Sequence, residues 1–470
     1  MSFKNLHILL AIGFFAVSFA CKKSDYIDSP DASLMVTDSV RFDTVFTAQG
    51  TATRYFKIFN LNKQKLRLSN IHLAGGASSA YQINVNGVSG TDFTDIDLEA
   101  GDSIYCFVRV YIDPTQASNP FLVQDSIGIV YNGNTRYVQL QAYGQNAVYL
   151  ASTSIANDTV WKKDLPIVLL KDMTIPQGKT LTIEKGCKVY CHAKAGLLVN
   201  GRLLASGDTA GTDRISFATD RLDYVQGVNN GVDYRNLAGA WPGIEFGENS
   251  WGNLLQYVTI KNAVYALVDT LNVSVPPTTK LCLQGCVVQN NAAYGVLSRL
   301  GNMSIVNSLI ANNGSGVGLY NGGQYVLAYN TLVGYSNLYV SHNSPVVMLN
   351  GTSSEPFSIS ITNSIFWGDN SGLNNEIGLG AGLGSNASIR IDHSLAKYAS
   401  LPSTVQLTGM LQNMDPDFLL VNDNKPEYDF RLSGSSPCRG AAIPVAGIAY
   451  DISGNKRNTL NPAIGCYENP

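Results

Sequence analysis

The sequence predicts an all-β protein in two parts, a sandwich of two antiparallel sheets followed by a long coil of short parallel strands. Three observations predict this fold class. The 470 residues include 44 Gly and 24 Tyr, a composition that suits sheets and turns better than helices. Apolar and polar residues alternate over the first third of the chain, and a short motif repeats along the rest.

Size and charge narrow the functional classes. A chain of 470 residues exceeds one compact core, so two or three domains are expected. The hydrophobic content of 45% excludes general disorder. Only 14% of the residues are charged and the net charge is −3, so the concentrated basic surface that nucleic acid requires is missing. We therefore expect no nucleic-acid partner.

Residues 1–20 have the features of a secretory signal. Lys4 precedes an apolar run, Ile8 to Phe19, that is too short to cross a bilayer, which takes about 20 residues. Cys21 follows directly. The segment resembles a bacterial lipoprotein signal of the Bacteroidetes type, which implies that Cys21 is diacylated and anchors an outer-membrane lipoprotein. The sequence leaves open whether the inner or the cell-surface leaflet carries it. The alternative is an ordinary cleaved signal with an incidental cysteine.

Residues 21–37 are polar and predict a flexible tether. Residues 38–148 follow with short strands of period two, which predict an immunoglobulin-like sandwich. This region resembles the Hydin-type immunoglobulin-like domains of bacterial surface proteins at Phe59-Asn60, at the turn 98–102 and at 112–114. The resemblance implies a spacer or adhesive module without catalytic residues, and a spacer is our interpretation.

A repeat runs through residues 149–400. Variants of one unit, a polar residue, a small one and two apolar ones, start at Gly285, Asn307, Asn330, Asn363 and His393. Their spacings of 22, 23, 33 and 30 predict a parallel β-helix with a basic turn of 22 residues and two longer loops. Asn262, Asn290 and Asn312 recur at tight bends and predict a structural asparagine ladder.

The opening of this region carries the most specific resemblance. Segments 176–187, 198–207, 215–218 and 241–246 resemble the first turns of right-handed parallel β-helix repeat proteins with the pectate-lyase-like architecture. The resemblance implies a right-handed coil, with Trp241 covering its core. Such coils frequently carry polysaccharide lyases or glycosidases, but a fold alone does not establish an activity.

Residues 401–470 resemble the closing segment of many β-helix surface proteins, the choice-of-anchor Q pattern, through segments 415–418, 428–432, 436–438, 451–457 and 464–468. The resemblance implies a cap over the open end of the coil, where unpaired strand edges would invite aggregation. Alanine commonly stands at the positions of Cys438 and Cys466, so cysteine at both implies one disulfide in an oxidising compartment. The alternative is two separate buried thiols.

The remaining cysteines predict no disulfide and no metal site. Cys187 and Cys191, like Cys282 and Cys286, are four apart in strand-like stretches, which separates them by about 13 Å when a disulfide requires about 7 Å or less. We interpret them as small buried hydrophobic residues. The pairing state of Cys106, Cys187, Cys191, Cys282 and Cys286 stays open. We expect no cofactor, with calcium relevant only to a lyase.

Catalytic motifs are missing. Glycoside hydrolysis needs two facing carboxylates, yet the chain lacks the Asp-Asp and Gly-His-Gly motifs of polygalacturonase-type enzymes. Between positions 253 and 394 the acidic residues are Asp269, Glu355, Asp369, Glu376 and Asp392. So few carboxylates argue against an enzyme without excluding one.

The best candidate ligand surface is the loop 218–240. It contains Asp220, Arg221, Asp223, Tyr224, Asp233, Tyr234 and Arg235. Tyrosines among mixed charges can hold sugar rings by stacking and hydrogen bonds. The alternative is a solvated surface loop. His192, at a strand end, is interpreted as a surface or hydrogen-bonded histidine.

Three functions follow from these patterns. The favoured one is a lipid-anchored cell-envelope protein whose β-helix is a non-catalytic glycan-binding or scaffold surface. The first alternative is a polysaccharide lyase or glycoside hydrolase acting in a groove of the β-helix. The second alternative is an adhesin or assembly protein that binds another protein. The missing catalytic motifs favour the first.

We predict that Cys21→Ser releases the protein from the membrane fraction, because diacylation of this thiol is the expected anchor. Fractionation of cells followed by immunoblotting measures the shift. Cys282→Ser is the matched control and should remain with the membranes. A Cys21→Ser protein that stays membrane-bound would contradict the anchor.

Overall fold

The protein is described by a computed structural model that covers residues 26–51, 53–115, 120–209, 211–225, 231–270, 272, 274–275 and 278–468. The described residues form strands, turns and two 3₁₀ turns, Gly76–Ser78 and Tyr234–Asn236, neither of which is long enough to cross a membrane. The predicted all-β class is confirmed. Residues 1–20 and Cys21 lie outside the described residues. The chain divides after Asn146 into two compact units.

The first unit consists of two five-stranded sheets. Its strands are β1 (Leu34–Met35), β2 (Ser39–Phe46), β3 (Arg54–Asn60), β4 (Leu66–Leu73), β5 (Tyr81–Val85), β6 (Val88–Gly90), β7 (Asp92–Leu98), β8 (Ser103–Val110), β9 (Phe121–Tyr131) and β10 (Asn134–Gln145). The sheet orders are β1-β3-β8-β5-β6 and β2-β10-β9-β4-β7. Alternate residues of β8 are buried and exposed, as period two predicts. An immunoglobulin-like topology stays a prediction.

The segment predicted as a flexible tether is attached to the first unit from Tyr26 onward. The Tyr26 hydroxyl donates to Asp97 at 2.5 Å, and the Arg67 guanidinium lies 4.6 Å from the centre of the Tyr26 ring. β1 then pairs antiparallel with β3. The tether prediction is therefore wrong for residues 26–35, because these contacts and an added strand hold them in place.

The second unit consists mainly of two large parallel sheets. Its first strands are β11 (Val148–Leu150), β12 (Thr159–Trp161), β13 (Ile167–Leu169), β14 (Met173–Ile175), β15 (Thr180–Ile183), β16 (Lys188–Cys191), β17 (Leu197–Val199), β18 (Arg202–Ser206), β19 (Ile215–Thr219), β20 (Tyr224–Val225), β21 (Val232–Asp233), β22 (Ile244–Phe246), β23 (Asn253–Gln256), β24 (Val258–Lys261) and β25 (Leu267–Asp269).

The later strands are β26 (Leu281–Gln284), β27 (Val287–Gln289), β28 (Tyr294–Val306), β29 (Leu309–Ala311), β30 (Ser315–Ala328), β31 (Thr331–Gly334), β32 (Val347–Asn350), β33 (Phe357–Thr362), β34 (Ile365–Gly368), β35 (Ile377–Leu379), β36 (Ala387–Asp392), β37 (Leu395–Ala396), β38 (Val405–Thr408), β39 (Leu411–Gln412), β40 (Phe418–Asn422) and β41 (Glu427–Leu432). The pairs β20-β21 and β40-β41 are antiparallel hairpins.

Each strand of the eleven-stranded sheet pairs in parallel with the strand that follows it in the order β11-β13-β16-β19-β24-β27-β29-β31-β34-β37-β39. The second sheet, of sixteen strands, is built by the same parallel pairing. Its partners are likewise separated by about one repeat, as in β15 with β18. Large parallel sheets with this register are compatible with the predicted parallel β-helix.

The repeat register is confirmed at four of the five predicted starts and shifted at one. The start positions adopt left-handed backbone, with φ of 49° at Asn307, 53° at Asn363 and 41° at His393. In the third repeat the left-handed residue is Tyr329, with φ of 54°, and Asn330 is the following, fully buried residue. The repeat therefore starts one residue earlier there than the sequence indicates.

The predicted asparagine ladder is also displaced by one position. Asn262, Asn290 and Asn312 have the expected left-handed backbone, with φ of 67°, 57° and 52°. Their side chains do not bond to one another. Asn291 and Asn313, one residue later and buried, form the ladder instead, with Asn291 Nδ2 donating to Asn313 Oδ1 at 2.7 Å.

Residues 401–470 were predicted to cap the end of the coil. Their first part instead forms β38 and β39 of the two large sheets, and residues 415–468 pack along the flank. We call this segment the strap. Tyr329 donates to the Ile443 carbonyl at 2.7 Å, and Asn363 Nδ2 donates to the same oxygen at 2.7 Å. Leu309 and Ile365, on the outer face of the eleven-stranded sheet, are buried in clusters with strap residues. The strap covers these apolar side chains, which explains its position on the flank.

The structure lacks the predicted disulfide. Cys438 and Cys466 are both buried free thiols, and each packs in a different cluster. The Cys438 carbonyl accepts from the amide of Ile464 at 2.9 Å, which places Cys438 opposite Ile464. The Cys466 amide donates to Thr331 Oγ1 at 3.1 Å.

The other cysteines that the structure describes are free as well. Cys187, Cys191 and Cys286 are fully buried, as expected of small hydrophobic residues, whereas Cys282 is half-buried. Cys106 is buried in the core of the first unit. Burial raises the pKa of Cys187 to about 12, so this thiol is held in its neutral form.

Arg457 is the main polar contact of the strap, and we predict that Arg457→Ala lowers the free energy of unfolding by about 3–5 kcal/mol. Its Nη2 donates to Asn307 Oδ1 at 2.7 Å, and its Nη1 lies 3.2 Å from Glu468 Oε2. Removing the guanidinium leaves the buried carboxylate of Glu468 without a counter-charge. Urea unfolding measures the loss. Lys456→Ala, an exposed neighbour, is the control, and equal losses for both variants would contradict the assignment.

Candidate functional site

A cleft of about 350 Å³ lies on the outer face of β16, β19 and β24. The parallel register places Lys188, Ser216 and Thr259 in one outward row, while their neighbours along each strand pack into the core. We call this feature the flank cleft. Its other lining residues are Tyr190, Gly211, Thr212, Arg214, Phe217, Ala218, Thr219, Leu222, Arg235, Lys261 and Asn262.

The flank cleft is lined by cations and by no carboxylate. Arg235 is neutralised by Asp233, with 2.8 Å between Nε and Oδ1. Lys188, Arg214 and Lys261 form no ion pair with any residue that the structure describes. Burial lowers the pKa of Arg214 and that of Lys261, because both charges are partly removed from water, and Asp233 offsets only part of this effect at Lys261.

The backbone and rings around these cations hold them in place. Arg214 Nη2 donates to the Gly285 carbonyl at 2.5 Å. Trp241 is fully buried, and its Nε1 donates to the Lys261 carbonyl at 2.9 Å. The Trp241 ring stacks on Phe217 with 6.4 Å between ring centres. The cleft is therefore built on a packed part of the core, as the sequence predicted for Trp241.

Asn262 is the most informative polar residue of the flank cleft. It is fully buried, yet neither its side-chain oxygen nor its side-chain nitrogen has a hydrogen-bond partner in the described protein. A buried polar group without a partner costs about 1–3 kcal/mol. An amide left unpaired beside three uncompensated cations is suited to an oxygen-rich, anionic ligand.

The loop 218–240, which the sequence predicted as a ligand surface, mostly satisfies its own charges. Arg221 donates to both carboxylate oxygens of Asp223, at 2.8 and 2.9 Å, and its guanidinium lies 3.7 Å from the ring centre of Tyr234. Asp233 and Arg235 form a second bidentate pair, at 2.8 and 3.0 Å. These internal pairs leave few groups for a ligand.

The remaining loop residues lie apart from the flank cleft lining. Asp220 accepts from His192 at 2.7 Å, so His192 is hydrogen-bonded at the surface, as expected. Tyr224 belongs to the hairpin β20-β21, where it pairs with Asp233. Of the seven predicted ligand-binding residues, only Arg235 lines the cleft.

Sequence reasoning missed Lys188, Arg214, Lys261 and Asn262. The only available signal was the alternation within strands, because Lys188 and Lys261 occupy outward positions of strands from different turns. The sequence alone does not show that these two strands belong to one surface. Only the pairing register of the structure shows it. Asn262 was noticed as a bend residue, and its unpaired amide is visible only in the structure.

The scarce carboxylates of residues 253–394 do not form an open catalytic pair. Asp269 is buried against Lys280 at 2.6 Å, and Asp392 contacts His393 at 2.6 Å. Asp369 and Glu376 both contact one histidine. Four of the five carboxylates are thus engaged by basic side chains. Within the described part of the chain, no group of three or more His, Cys, Asp and Glu side chains is placed to hold a metal ion.

His342 lies between two carboxylates in the interior. Its Nδ1 is 3.0 Å from Asp369 Oδ1, and its Nε2 is 3.2 Å from Glu376 Oε2. Burial opposes the charged imidazole, but hydrogen bonding and charge from Glu376 and Asp369 outweigh it and raise the pKa of His342. Gly334 and Gly368 leave room for the ring, since a Cβ at either position would lie within 2.4 Å of it. With the imidazole protonated, the cluster is a buried ion pair.

Comparison with known proteins identifies no family. No protein-family model matches the chain, and no curated protein matches it. Solved structures with a weak likeness to the chain include two glycoside hydrolases. A family 123 glycoside hydrolase from Clostridium perfringens is 12% identical with a TM-score of 0.18, over 27% of this chain and 25% of that one. The chain thus spans about a quarter of that protein.

The second structure is the catalytic domain of a GH87 α-1,3-glucanase in complex with tetrasaccharides. It is 9% identical with a TM-score of 0.20, over 81% of this chain and 92% of that one. Because both TM-scores are far below 0.5, neither likeness carries an argument about fold or activity.

The His342 cluster predicts a pH-dependent stability. Because the folded-state pKa is raised, the ion pair contributes fully below the ordinary histidine pKa of 6.5 and is lost as the pH rises through the folded-state value. We expect the free energy of unfolding to fall across that range. His342→Gln should lower it by about 3 kcal/mol at acidic pH, because Glu376 loses its counter-charge, and should abolish the decline.

Urea unfolding from pH 5 to 9 measures both effects. His192→Gln is the matched control, since its exposed pair with Asp220 should contribute about 1 kcal/mol or less. An unchanged pH dependence in His342→Gln would show that another group is responsible.

Proposed function

We propose that this protein is a lipid-anchored cell-envelope protein whose second unit is a right-handed parallel β-helix that binds an anionic polysaccharide in the flank cleft without cleaving it. The lipid anchor at Cys21, the outer-membrane location and the immunoglobulin-like spacer are part of this proposal. They are supported by the sequence resemblances described above.

The observation that carries the proposal is the combination of uncompensated charge and an unpaired amide in one cleft. Lys188, Arg214 and Lys261 supply positive charge, and Asn262 supplies both a donor and an acceptor. A uronate or sulfated sugar presents carboxylate or sulfate oxygens to the cations and hydroxyls to the amide. Charge-assisted hydrogen bonds of this kind are the strong ones in proteins.

The cleft favours binding over hydrolysis. A glycosidase requires a general acid and a second carboxylate about 5–9.5 Å apart across the scissile bond. No carboxylate lines the flank cleft. In the neighbouring loop, Asp223 and Asp233 are bound by Arg221 and Arg235. Proton transfer to a leaving group therefore has no donor of this type in the cleft.

We expect Lys188→Gln and Lys261→Gln each to weaken binding of a short polygalacturonate oligosaccharide at this cleft by about tenfold, because each removes one charge-assisted contact. Isothermal titration calorimetry of the mature chain measures the affinity. Raising the salt concentration should weaken binding by the wild-type protein as well. Lys162→Gln, which changes an exposed lysine of the second unit outside the cleft, is the control.

The variant Asn262→Gly tests the role of Asn262 in binding with little expected effect on the stability of the fold. Glycine retains the left-handed backbone at φ of 67°, and loss of an unpaired amide should cost little stability. We expect weaker binding with an unfolding free energy within about 1 kcal/mol of wild type. Unchanged affinity in all three cleft variants, or new reducing ends on incubation with polygalacturonate, would contradict the proposal.

A further inference from the structure

The first unit carries an exposed aromatic surface that its proposed role as a spacer does not explain. Phe59, Tyr55, Tyr105 and Phe107 occupy outward positions of β3 and β8. The exposed fractions of Tyr55, Tyr105 and Phe107 are 52%, 41% and 37%. We call these four residues the aromatic face. Three large exposed rings in one patch are unusual on a monomeric protein surface.

The rings of the aromatic face are ordered against one another. Tyr105 and Phe107 stack with 5.7 Å between ring centres and 16° between planes. Tyr55 meets Tyr105 edge-on at 5.5 Å. The register explains the grouping, because Tyr55 lies directly opposite Phe107 across the two strands. The result is an ordered cluster of aromatic rings that are partly exposed to solvent.

Cations without counter-charges flank the aromatic face. Lys57 Nζ lies 4.6 Å from the centre of the Tyr105 ring, and Arg109 Nε donates to Gln82 Oε1 at 2.6 Å. Neither forms an ion pair with a described residue. The outward positions of β3, β5 and β8 include no Asp or Glu. The face therefore combines apolar rings with net positive charge.

A cavity of about 490 Å³ continues from the aromatic face. Phe107 and Arg109 line it together with the polar side chains of Gln82, Asn84 and Ser89. The strand register places Gln82 beside Arg109 and Asn84 beside Phe107. Ring faces, amides and a guanidinium thus meet along one side of one sheet.

We propose that the aromatic face is a second glycan-binding site, which takes a uronate-containing polysaccharide. A uronate ring has an apolar C–H face that stacks on an aromatic ring, hydroxyls that pair with amides, and a carboxylate that pairs with Lys57 or Arg109. The positive charge of the face and its lack of carboxylates select an acidic sugar over a neutral one. This site is independent of the flank cleft.

The test is calorimetric titration of the mature full-length protein with a short polygalacturonate oligosaccharide. We expect two sites per chain in the wild type. Tyr105→Ala combined with Phe107→Ala should remove one site and leave the flank-cleft affinity unchanged. Lys57→Gln should weaken the same site by about tenfold, whereas Tyr105→Phe should retain it. Tyr137→Ala, an exposed tyrosine on the other sheet, is the control.

The outcomes separate this proposal from the proposed function. A single site that Lys261→Gln weakens and the aromatic variants do not would overturn the second site and leave the flank cleft standing. A single site with the opposite pattern would overturn the flank cleft and support the aromatic face. If light scattering shows a dimer that Tyr105→Ala dissociates, the face binds a second copy of the chain, and the glycan proposal is wrong.

Discussion

Parallel stacking in a fixed register is the constraint on which the second unit depends. Phe217 is paired with Val189 in the preceding turn and with Ile260 in the following one, so the core is a column of apolar side chains. Because side chains alternate along a strand, the same hydrogen bonds place Lys188 and Thr259 in an outward row. The core and the flank cleft are therefore set by one register, and a slip of one residue would exchange them.

Much of this stacking could be predicted from the sequence, because each turn repeats a polar residue followed by apolar ones. The pattern failed where the bend residue is not polar. Tyr329 takes the left-handed conformation that the sequence suggested for Asn330, and Asn330 turns inward. The position of the strap was missed for another reason. Leu309, Ile310 and Ala311 are all buried. A strand that is apolar on both faces must be covered on its outer face by another segment of the chain.

The candidate site was less predictable than the fold because binding depends on which charges lack partners. Composition singled out the loop 218–240, where tyrosines and charges are dense. The structure pairs those charges within the loop, as between Arg221 and Asp223. The uncompensated groups, Lys188 and Lys261, are distant in sequence and unremarkable in their local context. The aromatic face was missed similarly, because its rings come from two strands that the register brings side by side.

The strap changes how the stacked strands of the second unit can unfold. In an array of stacked turns each turn touches only its neighbours, so the array can fray one turn at a time from an end. The strap bonds to Asn307, Tyr329 and Asn363, which begin three successive turns. These turns are thereby tied into one cooperative block that opens as a whole, while turns beyond the strap keep the freedom to open singly. The later part of the second unit, from β29 to β34, is thus stiffened, and hydrogen exchange would be slowest there.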